Sequence, residues 1–303
     1  KLMEIADKHN VCFTFFIDVG YLIQLEKYKN DFPNLQVDFQ LVMDNIKSLL
    51  SKGHDLELHI HPHWETATYD GNEWSFDADN YYKLTDFSQE EIKLIFSKYH
   101  KYLSNIVGYK SSVYRAGGWC LQPFEKIKHA FVENDIKIDS TVFPGGFFDQ
   151  GSYFFDFRDA PNVGRYFFEN DLCVEDKDGR FLEIPIGGWK YNPLFYWKLY
   201  VLGRLFPKYH KMLGDGLAIP QPGRKWKNLK YGSWNHVSCD GFFASELEKI
   251  SNKYAKQNRS DLAVIGHPKG MTLFSLKKLD SYIGKMIENG HVFKTLKTEI
   301  WES

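Results

Sequence analysis

Short apolar runs alternate with amphipathic stretches along most of the chain. The run VCFTFFIDVG (11–20) is continuous in β-branched and aromatic residues and ends at a glycine, which is typical of a strand buried on both faces. The stretch FQLVMDNIKSLLSKG (39–53) has apolar residues at helical spacing, and SQEEIKLIFSKYHKYLSNIVG (88–108) opens with the capping pair Ser88 and Glu91. This alternation predicts parallel strands joined by helices, in an α/β sheet or barrel.

The same pattern continues to the end of the chain. Further strands are predicted in DLELHIH, SSVYRAGG, IKIDSTVF, FLEIPIGGW and LAVIGHPK, and further helices in CLQPFEKIKHAFVEND and LFSLKKLDSYIGKMIENG. Neither a solenoid-type repeat nor a low-complexity linker divides the 303 residues. We therefore expect one domain over residues 1–303, with insertions at 63–86 and 187–240.

Polar side chains collect where the predicted strands end. In parallel α/β folds the ligand site lies beyond the carboxyl ends of the strands. Six candidates fall at or just after such ends: Asp18, His59, His63, Arg115, Asp139 and His267. Because they come from separate strands, we expect them to face one common site.

The segment GHDLELHIHPHW (53–64) holds four of the eleven histidines. His59 and His63 are four residues apart, so a single turn could aim both rings at one ion. Alternatively, His59, His61 and His63 alternate on an extended strand and share one side. Either arrangement favours a metal site, whereas His54 at the preceding turn is expected to be structural.

Composition narrows the range of partners. The formal net charge of −1 provides no basic patch for nucleic acid. Aromatic residues make up 17% of the chain, and their flat rings suit stacking on sugars, although an aromatic core would give the same count. The four scattered cysteines and the lack of an apolar leader predict a reducing, cytoplasmic location. Oligomeric state cannot be read from these features.

The order of NVCFTFFIDVG, GHDLELHIHPHW, VYRAGGW, IKIDSTVF, FLEIPI and VIGHPKG resembles the polysaccharide deacetylase (NodB-homology) family of carbohydrate esterases. The resemblance spans most of the chain and implies a distorted (β/α) barrel with long aromatic-rich insertions. It also implies removal of an acetyl group from an N-acetylated sugar with a divalent metal ion, most often zinc. The histidines and carboxylates fit zinc, nickel, cobalt or iron equally well.

The resemblance also assigns roles to single residues. His59 and His63 match the two histidine ligands of the family's H-x-x-x-H motif, in which the intervening His61 is not a ligand. Arg115 resembles the arginine that holds the catalytic base, and His267 resembles the histidine general acid. Asp139 matches an aspartate that orients that acid.

One family motif, the paired aspartate TFDDG that supplies the base and the third metal ligand, does not occur in this chain. The strand CFTFFIDVG matches the family's second strand, so the first strand is expected upstream of Lys1. Either the aspartate pair belongs to that upstream strand, or the carboxylates have moved within this chain; the substitute is then Asp18, at the active-site end of its strand. A strand-end cap is the alternative role for Asp18.

Several aromatic residues could bind the sugar. Trp64 follows the histidines directly in the 63–86 insertion, and Trp119 and Trp189 close two Gly-Gly-Trp sequences at predicted strand ends. Buried tryptophans at a barrel end would look the same. The stretch 187–212 combines apolar residues with Lys and Arg, which predicts either an interfacial helix on an anionic membrane or a core or oligomer-interface helix.

These features predict a metal-dependent deacetylase of an amino sugar, acting in surface-polysaccharide or glycolipid assembly such as O-antigen or capsule synthesis. Its substrate would be an N-acetylated sugar, free or lipid-linked, met in the cytoplasm or at the inner membrane face. Two alternatives stay open. One is a non-catalytic carbohydrate-binding relative, and the other is a hydrolase of a small-molecule amide or imide.

Overall fold

The computed structural model describes residues 1–214 and 223–300; part of the predicted 187–240 insertion, residues 215–222, lies outside the described residues. The helices are α1 (Leu2–His9), α2 (Val19–Tyr28), α3 (Pro33–Ser51), α4 (Gln89–Val107), α5 (Lys128–Glu133), α6 (Pro193–Leu205), α7 (Pro207–His210), α8 (Arg224–Tyr231), α9 (Leu247–Lys256) and α10 (Leu273–Glu288). The strands are β1 (Thr14–Asp18), β2 (Asp55–Ile60), β3 (Thr68–Tyr69), β4 (Trp74–Ser75), β5 (Val113–Ala116), β6 (Ile138–Asp139), β7 (Phe147–Gln150), β8 (Tyr153–Asp156), β9 (Tyr166–Phe168), β10 (Phe181–Glu183), β11 (Gly188–Tyr191) and β12 (Ser233–His236).

The central sheet has six strands in the order β1-β2-β5-β6-β10-β9, all parallel except the edge strand β9. Beyond β10, isolated parallel bridges join Ile186 to Ala263 and Ser238 to Ile265. The parallel α/β sheet predicted from the sequence is therefore confirmed. Closure of that sheet into a distorted barrel stays a prediction.

The two faces of the sheet differ in polarity because side chains alternate along each strand. On β2, Leu56, Leu58 and Ile60 are buried in the largest core cluster, together with residues of α2, α3 and α4. Glu57 and His59 occupy the alternate positions and project to the opposite face. That second face carries a small apolar cluster around Val113, Ile138, Leu182 and Ile184.

Some predicted elements are shorter in the structure. The helix expected over 120–135 is reduced to a 3-10 turn, Phe124–Lys126, and α5. Pro123 explains the late start because proline is poorly tolerated inside a helix. The run LAVIGHPK has only the isolated bridges at Ala263 and Ile265, and then turns at Pro268. By contrast, α4 begins with the predicted reciprocal capping of Ser88 and Glu91.

A second core cluster lies among α1, α6, α8, α9 and α10 and includes the buried Tyr191 of β11. The hairpin of β11 and β12 joins this helical layer to the carboxyl ends of the central strands. Within residues 1–214 and 223–300, no helix combines the length and apolar character needed to cross a membrane.

Candidate active site

Three predicted residues lie side by side at one edge of the sheet. Asp18 is in register with His59 across β1 and β2, and His59 is in register with Arg115 across β2 and β5. Because all three strands are parallel, this edge collects their carboxyl ends. The structure thus brings together residues that are far apart in sequence.

The ring of His59 is oriented by the neighbouring strand. Its Nδ1 atom lies 2.6 Å from the backbone carbonyl oxygen of Arg115. A carbonyl only accepts hydrogen bonds, so Nδ1 carries the proton and Nε2 keeps its lone pair. This is the tautomer that a metal-ligating histidine requires, with the second nitrogen fixed by a backbone group.

The rings of His59, His61 and His63 form a continuous row. Their centroids are 4.7 Å apart for His59 and His61, and 5.3 Å apart for His61 and His63. Burial, reinforced by the neighbouring His61, lowers the pKa of His59 to about 3, and burial with His63 does the same for His61. Burial also lowers the pKa of His63. All three rings are therefore neutral at physiological pH, as nitrogen ligands must be.

Asp18 ends β1 and begins α2. One carboxylate oxygen accepts a hydrogen bond from the Trp64 indole, at 2.9 Å, and the other caps α2 through the backbone N–H of Tyr21. Burial raises the pKa of Asp18, although His59, the indole bond and His63 oppose the shift. Asp18 thus acts as a strand-end cap while facing the predicted histidine ligands.

These residues suit a divalent metal ion in chemistry. Two neutral imidazoles and a carboxylate are common zinc ligands, and the Nδ1 atom of His63 is buried without a hydrogen-bond partner. Their ligand atoms are more widely spaced than those of another group, however. Among the described residues, the set whose atoms all lie within 4.8 Å of one another is His236, Asp240 and His267.

His267 and Asp240 form a hydrogen-bonded pair. One carboxylate oxygen of Asp240 lies 2.8 Å from Nδ1 of His267, and the other accepts the backbone N–H of His267 at 2.7 Å. Both oxygens are thus engaged by the same residue, which fits an orienting role better than metal ligation. The bond places a proton on Nδ1 and leaves Nε2 to react. The side chain of His267 is 37% exposed, so this ring is accessible.

The carboxylate that contacts His267 is therefore Asp240, and the orienting role predicted for Asp139 needs correction. Asp139 is fully buried and accepts hydrogen bonds from the hydroxyl and backbone N–H of Thr141. Its position explains the difference, because β6 ends in the middle of the sheet, between β5 and β10. His267 follows the isolated bridge at Ile265, beside the segment that carries Asp240.

Asp139 instead pairs with Glu183, its partner in register on β10. The two carboxyl groups are hydrogen-bonded, and Glu183 also accepts the backbone N–H of Val142. Burial raises the pKa of both acids, and the Asp139 carboxylate raises that of Glu183 further. Glu183 is consequently protonated and donates to Asp139, since two buried carboxylates this close would not both be charged.

Arg115 lies beside this acid pair. Its Nε donates to the Ser140 carbonyl oxygen at 2.6 Å, a terminal nitrogen donates to the Ser140 hydroxyl at 2.8 Å, and the guanidinium packs over the Phe16 ring. Burial lowers the pKa of Arg115 to about 10, against the attraction of Asp139, so the side chain remains a cation. These contacts fix the guanidinium among strand-end residues. Its holding of a catalytic base stays a prediction.

Trp119 and His236 complete the surroundings of His267. The Trp119 ring stacks on His236 with centroids 5.1 Å apart and meets the His267 ring edge-on at 6.2 Å. Burial lowers the pKa of His236 to about 3, and its Nδ1 atom is buried without a partner. The backbone of Trp119 has a positive φ of 62°, and its ring lies between the two histidines and Phe143 of the aromatic core. Its ring therefore lies directly beside the accessible ring of His267.

The other two predicted tryptophans serve different surroundings. Trp64 lies in an aromatic cluster that includes Trp74, besides its bond to Asp18. Trp189 contacts Tyr254 and the ammonium groups of Lys249 and Lys253. Trp64 thus contacts Asp18 at the candidate site, whereas Trp189 faces α9.

The 63–86 insertion covers part of the histidine row. The ring of Phe76 lies 4.6 Å from that of His63, and the ring of Tyr82 stacks on the same imidazole at 6.0 Å. Tyr82 also packs against Tyr153 from the hairpin of β7 and β8. The insertion therefore packs directly against the histidine row, and its role in binding substrate stays a prediction.

Sequence reasoning missed Asp240, His236 and Glu183. Asp240 and His236 lie in the segment NHVSCD, which has a histidine and an aspartate but no recognisable spacing to His267. Glu183 lies within the predicted strand FLEIPIGGW, whose hydrogen-bonded part ends at Glu183 in the structure. That Glu183 lies beside Asp139 depends on the order of the strands in the sheet, which the sequence does not show.

Comparison with solved structures places the fold. A candidate polysaccharide deacetylase from Mycobacterium smegmatis superimposes with a TM-score of 0.51 and 16% identity, covering 99% of this chain and 74% of its own. The Bc1960 peptidoglycan N-acetylglucosamine deacetylase is more distant, with a TM-score of 0.40, 13% identity and coverage of 98% and 78%. Neither a family model nor a curated protein matches the chain. The first likeness supports the predicted fold class.

Proposed function

We propose that the protein is a metal-dependent carbohydrate deacetylase that hydrolyses the N-acetyl group of an amino sugar. The observation that carries the proposal is the His267–Asp240 pair, held at the same strand-end edge as Asp18, His59 and His63. His61 lies near both the predicted metal ligands and the His267–Asp240 pair, because both His63 and His267 contribute to its lowered pKa. The fold shared with a candidate polysaccharide deacetylase agrees with this class.

His267 is the proposed proton donor. Hydrolysis of an acetamide breaks the C–N bond, and the departing amine must receive a proton as water supplies the hydroxyl group of the acetate. Asp240 accepts the Nδ1–H of His267, so in the imidazolium form the ring would donate its Nε2 proton to the leaving nitrogen, and a proton from the attacking water would restore it. Trp119 would pack against the apolar face of the sugar and limit its motion beside the ring.

The metal would be held by His59, His63 and Asp18. A divalent ion at these ligands supplies Lewis-acid polarisation of the acetyl carbonyl and a nucleophile at neutral pH. The side chains contribute neutral nitrogens through His59 and His63 and an anionic oxygen through Asp18. Arg115, fixed on Ser140, supplies positive charge at the same edge.

The test is release of acetate from N-acetylglucosamine oligomers by the purified, zinc-loaded protein and by the His267→Gln variant. We expect acetate from the wild-type protein and at least a 100-fold smaller kcat from the variant, the usual scale of acid–base catalysis. Equal rates would overturn the assignment of His267. Acetate release that survives complete metal removal would overturn the metal dependence.

A carbohydrate-binding protein without catalysis is the second candidate. The observation in its favour is the wider spacing of Asp18, His59 and His63 compared with His236, Asp240 and His267. Binding of N-acetylated oligosaccharides, with neither bound metal nor acetate release, would favour this candidate over the deacetylase.

A further inference from the structure

The helices α6, α7 and α8 present an unusually apolar and basic surface. On α6, the exposed residues Leu194, Trp197, Val201 and Leu205 recur at helical spacing, and their exposed fractions are 61%, 51%, 45% and 65%. The opposite side of α6 is the one that packs, with Phe195 and Tyr196 buried in the helical core. The outward stripe therefore contributes nothing to the described core.

The stripe extends beyond α6 to the neighbouring helices. Phe206 and Tyr209 are more than half exposed where α6 passes into α7. On α8, which packs beside α6, Trp226 is 69% exposed and Tyr231 is 61% exposed. We call this set of outward apolar residues on α6, α7 and α8 the docking surface. Large apolar side chains clustered in this way mark an interaction site.

The positive charge around the docking surface indicates the kind of partner that binds there. Residues 187–239 contain nine Lys and Arg residues and one acidic residue, in a chain whose net charge is −1. Exposed cations flank the stripe, among them Lys198, Arg204, Lys208, Lys227 and Lys230. Such a surface attracts an anionic partner and repels an identical surface on a second copy of the chain.

We propose that the docking surface binds the headgroup region of an anionic lipid bilayer. Tryptophan and tyrosine are favoured at membrane interfaces, and aliphatic residues such as Leu194 and Leu205 gain by insertion among acyl chains. Each nearby lysine or arginine adds attraction to anionic headgroups. Nucleic acid would match the charge but would leave these aliphatic side chains in water.

The docking surface is continuous with the candidate site. α6 follows β11 directly after its cap at Asn192, and α8 leads through Gly232 into β12, whose last residue is His236. Bilayer binding would thus hold the edge near His236 and His267 close to the membrane. If the protein is a deacetylase, as proposed above, this position at the bilayer favours an amino sugar attached to a lipid carrier as its substrate. Only this last step rests on the proposed function.

The test is co-sedimentation of the whole protein with vesicles of phosphatidylcholine alone or mixed with phosphatidylglycerol. We expect sedimentation with the anionic vesicles at low salt, little with the neutral ones, and release at high salt. The Lys198→Gln/Lys227→Gln variant should bind anionic vesicles roughly tenfold or more weakly, since each cation is worth about fivefold. Trp197→Glu/Leu205→Glu should also lose at least about tenfold of the binding.

Matched controls come from α4, where Leu94 is 68% exposed and Lys101 is also exposed. Leu94→Glu and Lys101→Gln should bind vesicles like the wild-type protein. Absence of binding at low salt, or equal losses in control and test variants, would overturn the proposal. The proposal would also be overturned if the wild-type protein self-associates with rising concentration and does not bind vesicles, and if Trp197→Glu/Leu205→Glu abolishes that self-association. Acetate release is not measured here, so failure of the deacetylase proposal would leave this result unaffected.

Discussion

At the scale of single residues, Asp240 uses both carboxylate oxygens on His267. One oxygen fixes the ring nitrogen and the other fixes the backbone, so the imidazole is held from two directions. An asparagine keeps the size of this side chain but presents an amide N–H in place of one oxygen. That N–H would oppose the proton on Nδ1 and favour the wrong tautomer.

We therefore expect Asp240→Asn to lower kcat for acetate release on the order of 100-fold or more while the fold persists. Steady-state kinetics and circular dichroism provide the two measurements. His291→Gln, at an exposed histidine after α10, is the control and should keep the wild-type kcat. An active Asp240→Asn enzyme would show that the pair is only structural.

Glu183 gives a pH dependence of stability. Its pKa in the folded protein is raised, so the folded state retains a proton that the unfolded chain has already released. Stability should therefore fall as the pH rises above the ordinary glutamate range, and level off once the folded carboxyl also ionises. In Glu183→Gln the amide can donate to Asp139 and still accept from Val142 without titrating.

We expect the Glu183→Gln variant to lose less stability than the wild-type protein between pH 5 and pH 8, the range above the unfolded glutamate pKa of about 4.3. Urea unfolding at the two values measures the difference. The exposed Glu125→Gln exchange should leave the wild-type pH dependence unchanged. An identical pH dependence in Glu183→Gln would mean that Glu183 ionises normally in the folded state.

Sequence reasoning at this scale succeeded where a residue lies on a recognisable strand. Asp18, His59 and Arg115 were expected at strand ends, and they lie in register across three strands. It failed for the partner of His267, because Asp240 follows a short strand in an irregular segment. Pairing between such segments depends on their positions in space, which local patterns do not record.

At the scale of elements, the turn after β5 is built against the end of β2. A Cβ atom on Gly117 would lie 2.5 Å from the carbonyl oxygen of Ile60 and 2.6 Å from Nδ1 of His61. Close contact between the two turns thus requires glycine at this position. Any larger residue would push the histidine row away from β5.

We expect Gly117→Ala to lower the free energy of unfolding by about 1–3 kcal/mol, the usual cost of overpacking, and to reduce acetate release. Gly203→Ala on α6 is the matched control, because nothing lies within 4 Å of its added Cβ. That exchange should be neutral or stabilise the protein by up to about 1 kcal/mol. Equal unfolding free energies for the two variants would contradict the close packing at Gly117.

Elements with strong periodicity were predictable, and short ones were not. The capping residues and apolar spacing of α4 identified it from the sequence, and the structure confirms the helix. The run LAVIGHPK is as apolar as a strand, yet it forms single bridges only. Hydrogen-bond partners decide such cases, and apolar content does not reveal them.

At the scale of the whole molecule, the predicted metal ligands join the start of α2 to the end of β2 and its following turn. Metal binding should therefore stabilise the folded chain as a whole. Added zinc should raise the free energy of unfolding by about 2.7 kcal/mol when its concentration is 100 times the dissociation constant. Thermal unfolding with and without zinc measures this gain.

The gain should disappear in His59→Ala and in His63→Ala and persist in His291→Ala. Elemental analysis of the same four proteins should show near-stoichiometric metal only where the gain is seen. If zinc stabilises the wild-type protein and both variants equally, the ion binds elsewhere, and the compact group of His236, Asp240 and His267 becomes the next site to test.

The hydrogen bond that orients His59 has a consequence for saturation mutagenesis. Its acceptor is the main-chain oxygen at position 115, which every amino acid possesses. A library at that position would report only on the guanidinium, since all of its members keep the acceptor. The orientation of His59 therefore depends on the register in which β2 pairs with β5. An insertion or deletion that shifts this register would misalign the ring, although every site residue would still be present in the sequence.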